Sequence, residues 1–353
     1  MSRVKLDSLT KRFGQTVAIS DLSLECQDGE FIVLLGRPGA GKSTTLKIVA
    51  GVEETTAGNI YFDDQPIGKL PPEKRNVAMA FESYALYPHW SVRQNLEFPL
   101  RAPGRNLSPH ERTSQIKQVT DLLEISHLVD RRPGQLSGGQ RQRVSLGRAL
   151  VRRANVTLLD EPIAHLDARL RNSLRGELKH YQRERGATTI YTTPDYAEAS
   201  GIADRIAVLI DGRVRQFASP ATIYDEPADL DVALMAGDPK MNILRLPDNS
   251  GALQVDGTRI TVPGLLTGAR SIGLRPTDIR ISPTVVPGAI PGRVYVTEPM
   301  GYDQVVRVEA GSDLINVKTL LAEGNFGIEQ RVWLVPNWER RHMFDEDGIR
   351  LIG

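Results

Sequence analysis

The segment Glu30-Phe31-Ile32-Val33-Leu34-Leu35-Gly36-Arg37-Pro38-Gly39-Ala40-Gly41-Lys42-Ser43-Thr44 runs from a continuous apolar stretch into a G-x-x-x-x-G-K-[ST] loop. An unbroken apolar run of this kind is expected of a strand buried on both faces of a parallel sheet, and a helix is predicted from about Gly41 to Ala50. The glycines let backbone N–H groups approach phosphate oxygens, and the N-terminus of the helix adds partial positive charge. Lys42 brings charge to the terminal phosphates. Ser43 offers a hydroxyl to Mg²⁺, a cation that takes oxygen ligands and keeps several waters. A chance glycine turn would lack the strand before the loop and the helix after it.

A second apolar run, residues 156–159, delivers two acids, Asp160 and Glu161, to a strand end. In phosphoryl transfer a protein contributes position and electrostatics more than covalent chemistry. Asp160 is therefore expected to hold Mg²⁺ through water, and Glu161 to polarise the attacking water as general base. A merely solvated strand end is disfavoured by the uniformly apolar residues that precede the pair.

Further strands are predicted for residues 3–9 and 22–35, and near 77–81, 188–192 and 206–210, each followed by a helix or turn, which gives an α/β core of the P-loop kind. Residues 91–153 are mostly helical in pattern, so a helical subdomain of about 88–153 is inserted between the strands. After Ala236 short strand-like runs at 243–246, 293–297, 305–308 and 332–335 are closely punctuated by Pro and Gly. That texture marks a small all-β domain, with a barrel of the oligonucleotide-binding (OB) type as the expected form. The predicted organisation is 1–235 and 236–353.

With 353 residues, 40% of them hydrophobic, the chain can bury two cores. Its single cysteine, Cys26, excludes an intramolecular disulfide, fits a reducing compartment and reads as a structural thiol. The start MSRVKLDSLTKRF has no apolar signal core, and the longest apolar runs are far short of a membrane span. A soluble chain is expected, and any pore it serves must belong to other polypeptides. A net charge of +1 without a basic tail argues against nucleic-acid binding. The basic run from Arg169 to Arg185, interrupted by Glu177 and Glu184, reads as a solvated helix face.

Between the glycine loop and the two acids lies Leu136-Ser137-Gly138-Gly139-Gln140-Arg141-Gln142-Arg143. This LSGGQ stretch resembles the signature of ATP-binding cassette (ABC) ATPases. SYALYPHWSV from Ser83 to Val92, RAL at 148–150, MNIL at 241–244, IGLRPTDIRI at 272–281 and FDEDGIRL at 344–351 extend the likeness over nearly the whole chain. They are similar to the ATPase subunits of carbohydrate and glycerol-phosphate importers. The resemblance implies an ATP site built from Gly36, Arg37, Pro38, Gly39, Ala40, Gly41, Lys42, Ser43 and Thr44, with Phe13 placed to stack on adenine, although a lone aromatic fits a core equally. It implies that each ATP lies between one subunit's loop and another's signature, so that Ser137, Gly138, Gly139, Gln140 and Asp167 act in trans. It further implies two transmembrane permease subunits docking beside residues 83–92, an extracytoplasmic solute-binding protein reached through them, a regulatory β domain, and a place on the cytoplasmic face of the cell membrane.

Three positions depart from the family's pattern. The histidine of T-H-D is replaced in Thr193-Pro194-Asp195, and a pyrrolidine ring has no group to donate. Losing one preorganised donor to developing charge costs on the order of 3 kcal/mol, a hundred- to a thousandfold in rate, by analogy with oxyanion holes. Proline nonetheless suits the backbone there: Thr193 is expected to be extended and to cap a helix beginning at Pro194. Glu82 stands where the family has a glutamine that ligates Mg²⁺; it can still supply an oxygen but adds negative charge near Asp160 and Glu161. Ala164-His165-Leu166-Asp167 has lost the serine of an S-x-L-D loop that reaches across the dimer. The expected machine is an importer ATPase for a carbohydrate, polyol or glycerol phosphate, slow at its own site and paired with a different, histidine-bearing ATPase. Its rivals are a homodimer in which His165 replaces the missing imidazole across the interface, and a non-transport ATPase or nucleotide-binding regulatory subunit.

Overall fold

The computed structural model describes residues 2–102, 106–246, 252–255 and 257–352. Positions 103–105 of the expected helical subdomain, and 247–251 and 256 of the expected β domain, lie outside the described residues. The chain divides into two compact units, Met1–Ala221 and Thr222–Gly353.

The first unit opens with β1 (Val4–Phe13), β2 (Thr16–Cys26) and β3 (Phe31–Leu35). The single strand expected over 22–35 is interrupted because the chain turns at 27–30, where Gly29 takes φ 70° and the Glu30 N–H donates to the Gln27 carbonyl at 3.1 Å. There follow α1 (Lys42–Ala50), β4 (Ala57–Phe62), β5 (Gln65–Pro66) and β6 (Val77–Ala80), then the inserted helices α2 (Val92–Glu97), α3 (Pro109–Leu122) and α4 (Gly138–Leu150). The core resumes with β7 (Val156–Asp160), α5 (Ala168–Arg185), β8 (Thr188–Thr193), α6 (Tyr196–Ile202), β9 (Arg205–Ile210) and β10 (Arg213–Ala218). The inserted helices start at Ser91, Ser108 and Ser137, each in a capping box closed by Gln94, Glu111 or Gln140, which satisfies two orphan N–H groups at once.

Strands β9, β3, β8, β7 and β6 form a parallel sheet in that order, with β10 antiparallel at its edge, while β2, β1, β4 and β5 form a separate antiparallel sheet. Every residue of β3 and β7 is buried, as a strand covered on both faces requires. Register sets Leu35 opposite Thr193 and Asp160 opposite Thr192, so β3, β8 and β7 finish level. The crevice beyond such carboxyl ends is where open α/β sheets bind ligands.

The second unit is built mainly of strands. Asn242–Arg245, Ser271–Leu274, His342–Phe344 and Arg350–Leu351 make one sheet, and Ile279–Ser282, Arg331–Pro336, Ile290–Met300, Asp303–Ala310 and Asp313–Leu320 make a five-stranded antiparallel one. Their inner faces share an apolar core that includes Ile272, Leu274, Val294, Val306, Val317 and Leu334, an arrangement consistent with an OB-like domain. This unit also holds the helix Leu230–Met235, whereas composition alone set the boundary at 236. One reason is Arg275 of the IGLRPTDIRI stretch. Fully buried, it donates Nη1 to the carbonyls of Ala233 (3.1 Å) and Ala236 and Nη2 to that of Tyr224 (2.6 Å), with its Cζ 4.0 Å from the Tyr224 ring centroid. The orphan carbonyls of the helix end are thus satisfied by the β domain.

His342 is buried in the first of these sheets. Burial, with the charges of Arg350, Arg275 and Arg340 nearby, pushes its imidazole down to about 4. The folded chain therefore keeps it neutral while the unfolded chain, titrating near 6.5, takes up a proton, so stability is lost as pH falls from about 6.5 towards 4. By urea titration, the loss of unfolding free energy between pH 7 and pH 5 is expected to be about 2 kcal/mol smaller in His342→Gln than in the parent.

Candidate active site

The loop between β3 and α1 adopts backbone conformations that suit glycine, with φ 84° at Gly39 and 101° at Gly41. A Cβ at Gly41 would lie 2.7 Å from the Ala18 carbonyl oxygen, so the loop is laid directly on the neighbouring strand. The Gly36 N–H donates to the Thr193 carbonyl at 3.3 Å, tying the start of the loop to the end of β8. Lys42, only 4% exposed, turns its ammonium back into the loop. It donates to the carbonyls of Gly36 (2.9 Å) and Arg37 (3.3 Å) and pairs with Glu161 Oε1 at 3.3 Å. A buried ammonium is tolerable because oxygens surround it.

Asp160 and Glu161 are held just as closely. Ser43 Oγ donates to Asp160 Oδ1 at 2.9 Å, and Thr192 Oγ1 donates to the same oxygen at 2.8 Å. Glu161 has φ 44°, a left-handed conformation that costs a non-glycine residue about 1–2 kcal/mol. Its N–H donates to Thr192 Oγ1 (3.0 Å), and its carbonyl accepts from Gln142 Nε2 of α4 (2.9 Å). Gln142 Oε1 in turn accepts the His165 N–H at 3.1 Å. The site thus offers an ammonium and glycine N–H groups suited to phosphate, a hydroxyl and carboxylate suited to a hard cation, and a second carboxylate able to polarise water. Among the described residues no group of three or more His, Cys, Asp or Glu is disposed to hold a metal. A cation here would complete its shell with phosphate oxygens and water.

Comparison with known proteins leads to the same chemistry. The ABC transporter family profile matches residues 19–164. The sn-glycerol-3-phosphate import ATP-binding protein UgpC of Ruegeria pomeroyi is 38% identical over 354 residues, covering 99% of either chain. The chain belongs to the ATP-binding proteins of ABC transporters. Two xylose/arabinose import ATP-binding proteins of Haloferax volcanii are also similar: XacK at 41% identity (87% of this chain, 83% of its own) and XacJ at 48% (69% and 64%). The solved ATP-binding cassette MJ0796, a dimer bound to ADP and Pi in a post-hydrolysis state, aligns with 62% of this chain and 98% of its own at 30% identity and a TM-score of 0.57. As an ABC ATP-binding protein, the chain binds ATP and couples its hydrolysis to transport.

In this ABC protein Gly36, Lys42, Ser43, Asp160 and Glu161 converge. Arg37, Pro38 and Gly39 are exposed, Ala40 is buried, and Thr44 is half-buried in the first turn of α1. Pro194 directly follows Thr193, the residue bonded to Gly36, and its ring is exposed. The cap of α6 is Asp195, not Thr193. Asp195 Oδ1 accepts from the N–H groups of Ala197 (2.8 Å) and Glu198 (3.2 Å), so the helix starts at Tyr196 and Pro194 precedes it. A carboxylate that reaches two orphan donors displaces a threonine hydroxyl from the role, and Thr193 Oγ1 accepts the Asp195 N–H instead (3.1 Å). Glu82 is exposed just past β6, and among the described residues no hydrogen bond joins it to Asp160 or Glu161. Phe13 is half exposed at the end of β1, with Lys11 Nζ 4.7 Å from its ring centroid, which removes the core reading.

Ser137 caps α4 at an exposed position. Gln140 is engaged by its own helix, its Oε1 accepting the Ser137 N–H at 2.9 Å and its N–H donating to Ser137 Oγ at 3.3 Å. Gly138 and Gly139 form the first turn. Asp167 caps α5 through the Leu170 N–H (3.0 Å).

Several residues in and around the site were not singled out from sequence. Tyr84 and Ala85 take φ 64° and 49°, and α4 holds their carbonyls through Ser145 Oγ (2.8 Å) and Arg148 Nη1 (2.7 Å). Buried Asn95 accepts the Tyr87 N–H and donates to the carbonyls of Tyr87, Trp90 and Ser91. The rings of Tyr87, Trp90 and Phe98 cluster with centroids 4.5–5.2 Å apart, beside a hollow of about 240 Å³. A usable signal existed for Arg148, which lies in the RAL stretch. Asn95 and Ser145 bond to backbone carbonyls within the 83–92 stretch, but neither residue belongs to a motif quoted from the sequence.

Gly41→Ala is expected to weaken ATP binding at least tenfold in a fluorescent-nucleotide titration, since its Cβ meets the Ala18 carbonyl in a left-handed backbone.

Proposed function

We propose that this chain is the ATP-binding subunit powering import of a carbohydrate, polyol or glycerol phosphate, with its own ATP site slow to hydrolyse. The observation that carries this reading is Pro194, a residue without a side-chain donor, beside a phosphate loop whose other parts are in place. The class of solute follows from relatives named for glycerol-3-phosphate and for pentose import over most of the chain's length.

In this reading Lys42 serves the terminal phosphates, and Ser43 and Asp160 hold Mg²⁺, with Glu82 available as a further oxygen ligand. When bound, the ion neutralises phosphate charge and orients the nucleotide. Glu161 polarises the attacking water, and residue 194 gives nothing to the charge that develops, slowing turnover by about a hundred- to a thousandfold. Ser137, Gly138 and Gly139, flanked by Gln140 and Asp167, complete the ATP site of a second subunit. That subunit is a different, histidine-bearing ATPase: an intact signature beside a deficient switch makes sense only if a neighbour uses it. XacJ and XacK, two ATP-binding proteins of one organism named for the same import, are a parallel.

Two transmembrane permease subunits dock at the aromatic cluster of the segment from Ser83 to Val92, and a solute-binding protein acts through them. Among the described residues no helix is long and apolar enough to cross a membrane, which suits a peripheral subunit on the cytoplasmic face. The homodimer with His165 as stand-in is disfavoured because His165 Nδ1 lies 3.3 Å from the Tyr84 hydroxyl of its own chain, the rings meeting edge-on at 6.2 Å.

Pro194→His in the full chain is expected to raise hydrolysis about a hundredfold while ATP affinity stays within twofold; an unchanged rate refutes the slow-site reading. Native mass spectrometry of the assembled transporter is expected to find one copy of this chain and one of another ATPase. His165→Ala is expected to leave the assembly's turnover within about twofold of the parent, whereas a homodimer relying on that ring would lose it.

A further inference from the structure

Strand β8 carries a hydroxyl where none of the roles above requires one. Thr192 is fully buried and stands directly across the sheet from Asp160. A threonine hydroxyl has one proton to give and lone pairs to receive, and here both capacities are used on the two acids of the strand end. The proton goes to Asp160 Oδ1 at 2.8 Å, and a lone pair receives the backbone N–H of Glu161 at 3.0 Å. Its neighbours Tyr191 and Thr193 do not share this duty: the Tyr191 hydroxyl donates to Glu198 Oε1 at 2.6 Å, and Thr193 Oγ1 receives the Asp195 N–H.

We infer that Thr192 is a positioning residue for hydrolysis, fixing through one oxygen both the carboxylate that faces the cation and the peptide that aims the general base. The inference rests on the reading of Asp160 and Glu161 as the hydrolytic pair. Ser43 and Thr192 converge on Oδ1, so the carboxylate is held by one oxygen against rotation, and Oδ2 remains for a cation or its water. On the other side, Glu161 occupies a left-handed conformation that is unfavourable for a residue with a side chain. The hydrogen bond from its N–H to Thr192 is the one made by its amide; its carbonyl accepts from Gln142 Nε2 (2.9 Å) and from the Ala164 N–H (3.3 Å). A valine at 192 would match the shape, leave the Glu161 N–H buried without a partner and release Asp160 to turn. In a site where residue 194 donates nothing, this hydroxyl is the link that keeps acid and base in register from beneath.

The test compares full-length Thr192→Val and Thr192→Ser with the parent, with Glu161→Gln as reference. Hydrolysis of radiolabelled ATP is followed, and Mn²⁺ affinity in the presence of a non-hydrolysable ATP analogue is read by electron paramagnetic resonance, a measurement that needs no turnover. Thr192→Val is expected to lower kcat about tenfold with the KM for ATP within twofold, and to weaken Mn²⁺ binding about fivefold, while Thr192→Ser restores both. Parent-like kcat and Mn²⁺ affinity in Thr192→Val overturn the inference. So does equal loss in the valine and serine variants accompanied by a fall in Tm, which marks a packing role. A Glu161→Gln variant that hydrolyses ATP at the parent rate overturns the reading of the pair itself, and the inference with it. A large loss in Glu161→Gln with none in Thr192→Val overturns the inference alone.

Discussion

The ammonium of Lys42 is buried, and that constraint organises the site around it. A charge removed from water needs oxygens close by, and losing one partner of a buried pair typically costs about 3–5 kcal/mol. Two of those oxygens are loop carbonyls, which fixes how the glycine loop curls; the third is the Glu161 carboxylate, which fixes where β7 must end. Loop shape, strand length and the left-handed turn at Glu161 are therefore conditions of one another. A register shift between β3, β8 and β7 would break the Gly36–Thr193 bond and strand the lysine at the same time.

The two faces of β8 keep stability and chemistry apart. On one face Tyr191 and Thr193 secure the chain's passage into α6, where Glu198 is buried, its carboxyl pushed up by burial and held by the tyrosine hydroxyl. The Asp195 cap completes that anchorage. None of these bonds involves the side chain of residue 194, so the helix starts in the same way whatever stands there. A proline at this point leaves that architecture whole.

Much of this was legible in the sequence because its physics is local. An unbroken apolar run bounded by turn residues suits a doubly covered strand, and a glycine loop between such a strand and a helix suits an anion. What could not be read is what depends on neighbours brought together by the fold. The cap at Asp195 was missed because both Thr193 and Asp195 are good caps, and only the reach of the carboxylate to two N–H groups decides between them. The turn at 27–30, by contrast, was legible: Gln27-Asp28-Gly29-Glu30 is a polar stretch with an Asp-Gly turn signal between two apolar runs. The boundary near 222 depends on contacts distant in sequence, among them those of Arg275, some forty residues from the helix carbonyls it satisfies. That Glu82 stands exposed just past β6 is likewise not recorded in its local sequence.

Helix α4 has 13 residues and so is about 20 Å long. Its first turn presents Ser137, while Ser145 and Arg148 farther along grip the backbone of Tyr84 and Ala85. Such a rod transmits displacement with little slack, because its own ladder of hydrogen bonds is stiffer than the loops at either end. In the assembly proposed above, a load on the aromatic segment is felt at the end offered to a neighbouring nucleotide, and a nucleotide seated there acts back on the segment. Thermodynamics makes that exchange symmetrical: by whatever factor occupancy at one end tightens binding at the other, the reverse holds equally.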